Sequence, residues 1–163
     1  GGIIYYLYKD DQGVQHGLIT SISDYQSSNV IQYGCYQVSL PTTSSWDGKS
    51  NTSAILSFSC SATGAAYFAD LYSHDGYDDW YLPAIGELEL MMYNRFIIDK
   101  TPSTISGATE INRIFAYWSS TTAGTDFAWC FGNLGGSTGG VSLWSSGQAG
   151  RNSLKCVRPI RKF

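Results

Sequence analysis

The period of apolar and polar positions changes along the chain, and the changes mark out its elements. Ile3 to Tyr8 is a β-branched and aromatic run, read as a strand. Asp10-Asp11-Gln12-Gly13 supplies turn chemistry, and His16 to Ile22 reads as a second strand closing a hairpin. From Ser23 to Thr52 the residues are polar and broken by Gly34, Pro41 and Gly48, which predicts a long loop that is functional or tied by a disulfide. Ser53 to Tyr72 is Ala-rich and helical in pattern, with Ala65, Phe68, Ala69 and Tyr72 on one face. Gly64 leaves open one helix or two short ones.

A turn at His74 to Tyr77 leads to a short predicted strand, Trp80 to Leu82, and Pro83 suits the start of a helix. That helix is expected to bury Ile85, Leu88, Met92 and Phe96, with Glu87 and Glu89 near its positive end. Lys100 to Asn112 is a polar connection. The rest reads as β: Phe115 to Ser119, Phe127 to Phe131, Val141 to Trp144 and Leu154 to Pro159, separated by turns such as Leu134-Gly135-Gly136-Ser137 and Ser145-Ser146-Gly147. The order is α+β, with the terminal strand expected to pair with the first.

The 163 residues suit one domain, 1–163, large enough to bury a core without staples. Charged residues are only 14 % while aromatics reach 15 %, the makeup of a Tyr-rich extracellular domain. A net charge of −3 gives no general drive toward nucleic acid. No run approaches the roughly 18 apolar residues of a membrane span, so direct insertion is not expected. The chain opens at Gly1-Gly2 with a strand already under way, as an excised or mature domain would.

Charge is uneven. Arg151, Lys155, Arg158, Arg161 and Lys162 crowd the C-terminal end, and Asp75, Asp78, Asp79, Glu87 and Glu89 lie close together. These are either two solvated faces of opposite sign or, at the basic end, a patch for an anionic glycan. Cys35, Cys60, Cys130 and Cys156 form no C-x-x-C and allow three pairings. The simplest joins neighbours, Cys35–Cys60 and Cys130–Cys156; buried thiols are the alternative, and no metal site or cofactor is expected.

Three phrases stand in a telling order: Gly76-Tyr77-Asp78-Asp79-Trp80-Tyr81-Leu82-Pro83, then Tyr117-Trp118-Ser119-Ser120-Thr121, then Lys155-Cys156-Val157-Arg158-Pro159-Ile160-Arg161. Together with Gln15-His16-Gly17-Leu18-Ile19, the chain resembles the Lcl C-terminal-domain family of bacterial collagen-like surface adhesins. The resemblance covers most of the chain. It implies a C-type-lectin-like domain, a bacterial cell surface or extracellular setting, and a binding role. The family's adhesins bind sulfated glycosaminoglycans, for which the basic end is the local counterpart.

Trp80, Trp118 and Trp129 are expected to anchor the fold, and Arg158 to pair with Asp79 or Glu87. The family's usual Thr or Ser helix cap is replaced by Ala84. Relatives with a Cys before the Gly-Tyr-Asp-Asp-Trp phrase have Phe68 in that region here, which leaves Cys130 as the candidate partner of Cys156.

The sugar-binding C-type lectins carry Glu-Pro-Asn or Gln-Pro-Asp with Trp-Asn-Asp, and none of these occurs here. Asp75, Asp78 and Asp79 could ligate calcium, but read more simply as turn acids. Only His16 and His74 could serve as an imidazole base, with no Ser-His-Asp pattern around them. A cysteine redox enzyme, by analogy with formylglycine-generating enzymes of the same broad fold, would need Cys130 and Cys156 as reactive thiols. The reading is therefore a non-enzymatic domain that recognises glycans or host and matrix proteins through its late loops, with Asp126, Asn133, Trp144, Gln148, Arg151 and Asn152 as candidate contacts. The alternative is a structural module of a surface assembly, a pilus tip or trimeric stalk head, with possible homo-oligomers.

Overall fold

The computed structural model describes residues 1–25, 30–134 and 144–163. In chain order its elements are β1 (Ile3–Lys9), β2 (Gln15–Thr20), β3 (Ile31–Gln32), α1 (Gly48–Leu56), α2 (Ala65–Asp70), α3 (Ile85–Tyr93), α4 (Arg95–Lys100), β4 (Tyr117–Ala123), β5 (Phe127–Asn133), β6 (Trp144–Gly150), β7 (Leu154–Lys155) and β8 (Ile160–Lys162). Single 3-10 turns follow α1 and α4. The architecture is α+β, with three small antiparallel sheets ordered β1-β2-β8, β3-β7 and β4-β5-β6. Among the described residues no helix is long and apolar enough to cross a membrane.

The hairpin forms as expected. The Asp10 carboxylate accepts from the N–H groups of Gln12 and Val14, both at 2.9 Å, closing the turn. The terminal strand pairs with β2 rather than with β1, so the expected pairing is corrected. Gly17 explains the choice: lacking a side chain, it lets the Phe163 ring close over β2, and the two residues exchange backbone hydrogen bonds at 3.1 and 3.2 Å. The expected strand Leu154–Pro159 is divided. Leu154–Lys155 pairs with β3, Cys156–Pro159 crosses the core, and pairing resumes at Ile160.

The first helix starts earlier than Ser53 because Asp47 caps it, accepting from Ser50 N at 3.0 Å. Gly64 does break the segment in two; Ala65 N donates to Tyr33 O across it. Trp80–Leu82 is not a strand but a buried crossing with one bridge, Tyr81 to Ile160. Ile85, Leu88 and Met92 are buried as expected. Phe96 is 71 % exposed, because the helix breaks at Asn94 and Ile98 takes the inward position. The run expected over Val141 to Trp144 and the turn after Leu134 fall largely outside the described residues.

Two apolar clusters form the core. One joins β1, β2, α3 and α4 around Tyr81, Leu88 and Met91, and the other joins α1 and α2 to Trp118, Ala128 and Val157. Trp118 is fully buried and its indole N–H donates to Ile31 O at 2.8 Å, whereas Trp129 is only partly buried at the core's edge.

Of the neighbour disulfides, Cys35–Cys60 forms, with Cα atoms 4.9 Å apart, and anchors the long loop. Cys130 and Cys156 are free and buried, which corrects the second pairing. Tyr117 of β4 pairs with Phe131 on one edge and with Cys156 on the other. A whole strand therefore separates the two thiols. Two strand spacings are roughly 9–10 Å, beyond the ~7 Å Cα reach of a disulfide.

Arg158 takes neither expected partner; it donates to Asp24 at 3.0 Å, both side chains buried. Asp79 instead receives Arg161 through two bonds of 2.6 and 3.0 Å. Glu87 receives Lys162 at 2.8 Å. Two pairs, Arg161–Asp79 and Lys162–Glu87, thus join the basic end to the acidic cluster, while Asp75 and Asp78 stay exposed.

Candidate functional site

The loop before α1 carries Trp46, whose side chain is 61 % exposed. Large aromatic rings are usually covered, yet everything around this one is locked. Ser44 Oγ accepts from Asp47 N at 2.9 Å, and Ser44 O accepts from Asn51 and Thr121 side chains, both at 2.8 Å. Gly86 N donates to Ser45 O at 2.8 Å. Gly86 has to be glycine: a Cβ there would lie 2.8 Å from the indole and from Ser45 O. The loop is therefore clamped onto the first turn of α3 with its ring held outward.

Trp46 separates two grooves. The first, of about 430 Å³, lies between Trp46 and the paired rings of Tyr6 and Tyr8, with Glu87 and Lys162 at its base. The second, of about 410 Å³, runs from Trp46 and Ser45 past Glu89 to Trp129 and Ser146. A third, of about 270 Å³, continues along α3 between Tyr93, Arg95 and Trp144. The two larger volumes fall in the ~300–1,000 Å³ range of small-molecule sites. Arg95 lies over the Trp144 ring, 5.1 Å from its centre.

Glu87 organises the base of the first groove. It is 2 % exposed and its carboxylate has four donors. Tyr81 OH at 3.1 Å and Lys162 Nζ at 2.8 Å reach Oε1. Ala84 N at 2.9 Å and Gly48 N at 3.1 Å reach Oε2. The cap that Ala84 cannot supply is thus replaced from outside the helix, since Thr121 Oγ1 also accepts from Ile85 N at 3.0 Å. Burial first, and the Glu87 charge second, push the Tyr81 phenol far above its ordinary range, so it stays a donor.

The β5–β6 pairing sets Trp129 opposite Gln148, Phe131 opposite Ser146 and Asn133 opposite Trp144. Alternation puts all six on one face, and α3 packs against β5. Three of the sequence-derived candidates, Asn133, Trp144 and Gln148, therefore share the face that borders the second and third grooves. Asp126, Arg151 and Asn152 lie at the other end of the hairpin. Arg151 is wholly buried, donating to the carbonyls of Cys35, Val38, Gly124 and Phe127 and stacking on Tyr33. It holds loops together and presents nothing to a ligand. Asp126 accepts from Arg151 N through its carbonyl, and Asn152 does the same for the Gln32 amide.

Sequence reasoning missed Trp46, Tyr6, Tyr8 and the Glu87–Lys162 pair. A lone Trp in a polar loop and a strand with consecutive tyrosines were the signals that could have found them. Among the described residues no group of His, Cys, Asp and Glu could hold a metal ion. Burial pushes the Cys130 thiol up to about 11 and the Cys156 thiol up to about 12, away from reactive thiolates. No protein-family model matches the chain, and no curated protein matches it.

Proposed function

We propose that this chain is an extracellular, C-type-lectin-like binding domain of a bacterial surface protein, which recognises glycans without catalysing a reaction on them. The observation that carries the reading is Trp46, a large ring exposed between two grooves on a loop whose backbone is pinned by hydrogen bonds. A preordered aromatic loses little freedom when a ligand covers it. The C–H face of a sugar ring is polarised by its oxygens and suits the electron-rich face of an indole. The Cys35–Cys60 disulfide fits an oxidising, extracellular setting, and the motif resemblance to the Lcl C-terminal-domain family points the same way. The raised thiols of Cys130 and Cys156 argue against a cysteine enzyme.

The test is a glycan array probed with the wild type and Trp46→Ala, in calcium and in EDTA. Binding that Trp46→Ala loses is expected. EDTA is expected to change little, because Arg161 already occupies the Asp79 carboxylate. A folded wild type that binds no glycan would refute the reading.

A second reading, a module of a surface assembly, draws on apolar side chains exposed away from Trp46, among them Phe96, Ile97 and Ile114. Concentration-dependent oligomers in light scattering, with a blank array, would favour it.

A further inference from the structure

We infer that the ligand is an uncharged glycan chain of several sugars, lying along α3 across Trp46, and not a sulfated chain. This rests on the glycan-binding reading and adds the ligand's charge and extent. Three observations carry it.

The first is charge balance. The ionic groups bordering the three grooves are Glu87 with Lys162, then Glu89, then Arg95: two acids and two bases. Neither a polyanion nor a polycation finds a matching field there.

The second is the fate of the C-terminal cations. Arg151 is buried against four carbonyls, Arg158 pairs with Asp24, Arg161 with Asp79 and Lys162 with Glu87. Lys155 sits over the Trp118 ring, 5.1 Å from its centre. A sulfate approaching Arg158, Arg161 or Lys162 would have to displace a carboxylate already bound at hydrogen-bond distance. Most of the basic cluster that looks like a polyanion site in the sequence is engaged within the fold.

The third is succession. Trp46 borders both larger grooves, and α3 lines all three, from Ile85 and Glu87 through Glu89 and Leu90 to Met92 and Tyr93. Each groove has its own aromatic wall: Tyr6 and Tyr8, then Trp129, then Trp144. The second groove adds two small hydroxyls, Ser45 and Ser146, suited to sugar hydroxyls. Successive aromatic walls with little net charge suit a repeating neutral polymer better than a single compact ligand.

The experiment is titration calorimetry with neutral cello-, malto-, manno- and chito-oligosaccharides of rising length, beside heparin-derived oligosaccharides, at low and high salt. At least one neutral series is expected to bind, tightening about tenfold or more as length grows, with little salt dependence. Trp46→Ala should lose binding at every length. Trp129→Ala should keep binding of the shortest ligand and lose the gain from length. Trp46→Ala should melt like the wild type, while Trp129→Ala, cut from the core's edge, should melt lower but stay folded at the assay temperature. Preference for heparin with steep loss in salt would overturn the uncharged ligand and leave the glycan reading standing. Neutral binding with no gain from length would overturn the chain and leave a single-sugar site. No binding by the folded wild type to any of these ligands would overturn both readings.

Discussion

Glu87→Gln tests whether the buried carboxylate beneath the first groove holds the molecule together. Gln has the same shape, so the substitution isolates charge and acceptor number. Its NH2 can face Oε1's partners, Lys162 and Tyr81, or Oε2's partners, the N–H groups of Ala84 and Gly48. The second orientation sets donors against two backbone donors that have no other choice. The first is less costly, because Tyr81 can turn its hydroxyl and Lys162, 35 % exposed, can turn toward water. It still loses the ionic hydrogen bond and leaves a neutral acceptor for the two backbone groups. Bonds to a charged acceptor contribute about 1.5–3 kcal/mol and neutral ones about 0.5–1.5. Relief of the carboxylate's desolvation offsets part of the difference. The net loss is about 2–3 kcal/mol, or roughly 4–12 °C in Tm for a domain of this size. Lys162→Met leaves the carboxylate without its counterion and should also destabilise. The double variant should cost less than the two losses added, by about 1–2 kcal/mol. Urea denaturation followed by tryptophan fluorescence measures all three. A Glu87→Gln loss below about 0.5 kcal/mol, or strict additivity with Lys162→Met, would refute the argument.

Arg151→Lys is expected to cost about 3 kcal/mol or more, since one ammonium cannot reach four carbonyls spread across separate loops; a wild-type urea midpoint would count against this. In the native protein at pH 8, Cys130 and Cys156 should resist a thiol reagent, while the unfolded chain should yield two thiols without reductant and four with it. Fast native labelling would contradict their burial. Hydrogen bonding from Arg161 holds Asp79 below its ordinary value of 3.8. Its folded pKa is thus lower than the unfolded one, so its contribution is present above about pH 4 and is lost as pH falls through the folded value. Asp79→Asn should be less stable at neutral pH and lose less on acidification; an unchanged acid limb in the melting profile would refute the pairing.

The local elements were legible because their causes are local. Asp10 with Gly13 made the hairpin turn, Gly64 divided the helical segment, and the spacing of Ile85, Leu88 and Met92 marked α3's inner face. Neighbour spacing gave Cys35–Cys60, 25 positions apart, but the same spacing also offered Cys130–Cys156, which stay free thiols because β4 lies between them. Phe96 failed because a periodic pattern does not announce the break at Asn94.

For the candidate site, composition brought forward Asn133, Trp144 and Gln148, which share one sheet face, and on the same grounds Arg151, which is buried. Residue type alone cannot say whether a guanidinium meets solvent or the carbonyls of Cys35 and Val38.

What the sequence determined by itself was the kind of most of the longer elements, the α+β order and a supply of aromatic and charged residues. Those follow from interactions among near neighbours along the chain. The tertiary structure alone decided which edge the last strand would join, that β4 would stand between Cys130 and Cys156, and which acid each cation would meet. Arg158 and Asp24 are 134 positions apart and Arg161 and Asp79 are 82, distances over which chain crossings, not local pattern, choose partners. The grooves beside Trp46 have the same origin, because their walls come from β1, the loop before α1, α3 and the β5–β6 hairpin, brought together only when both core clusters close.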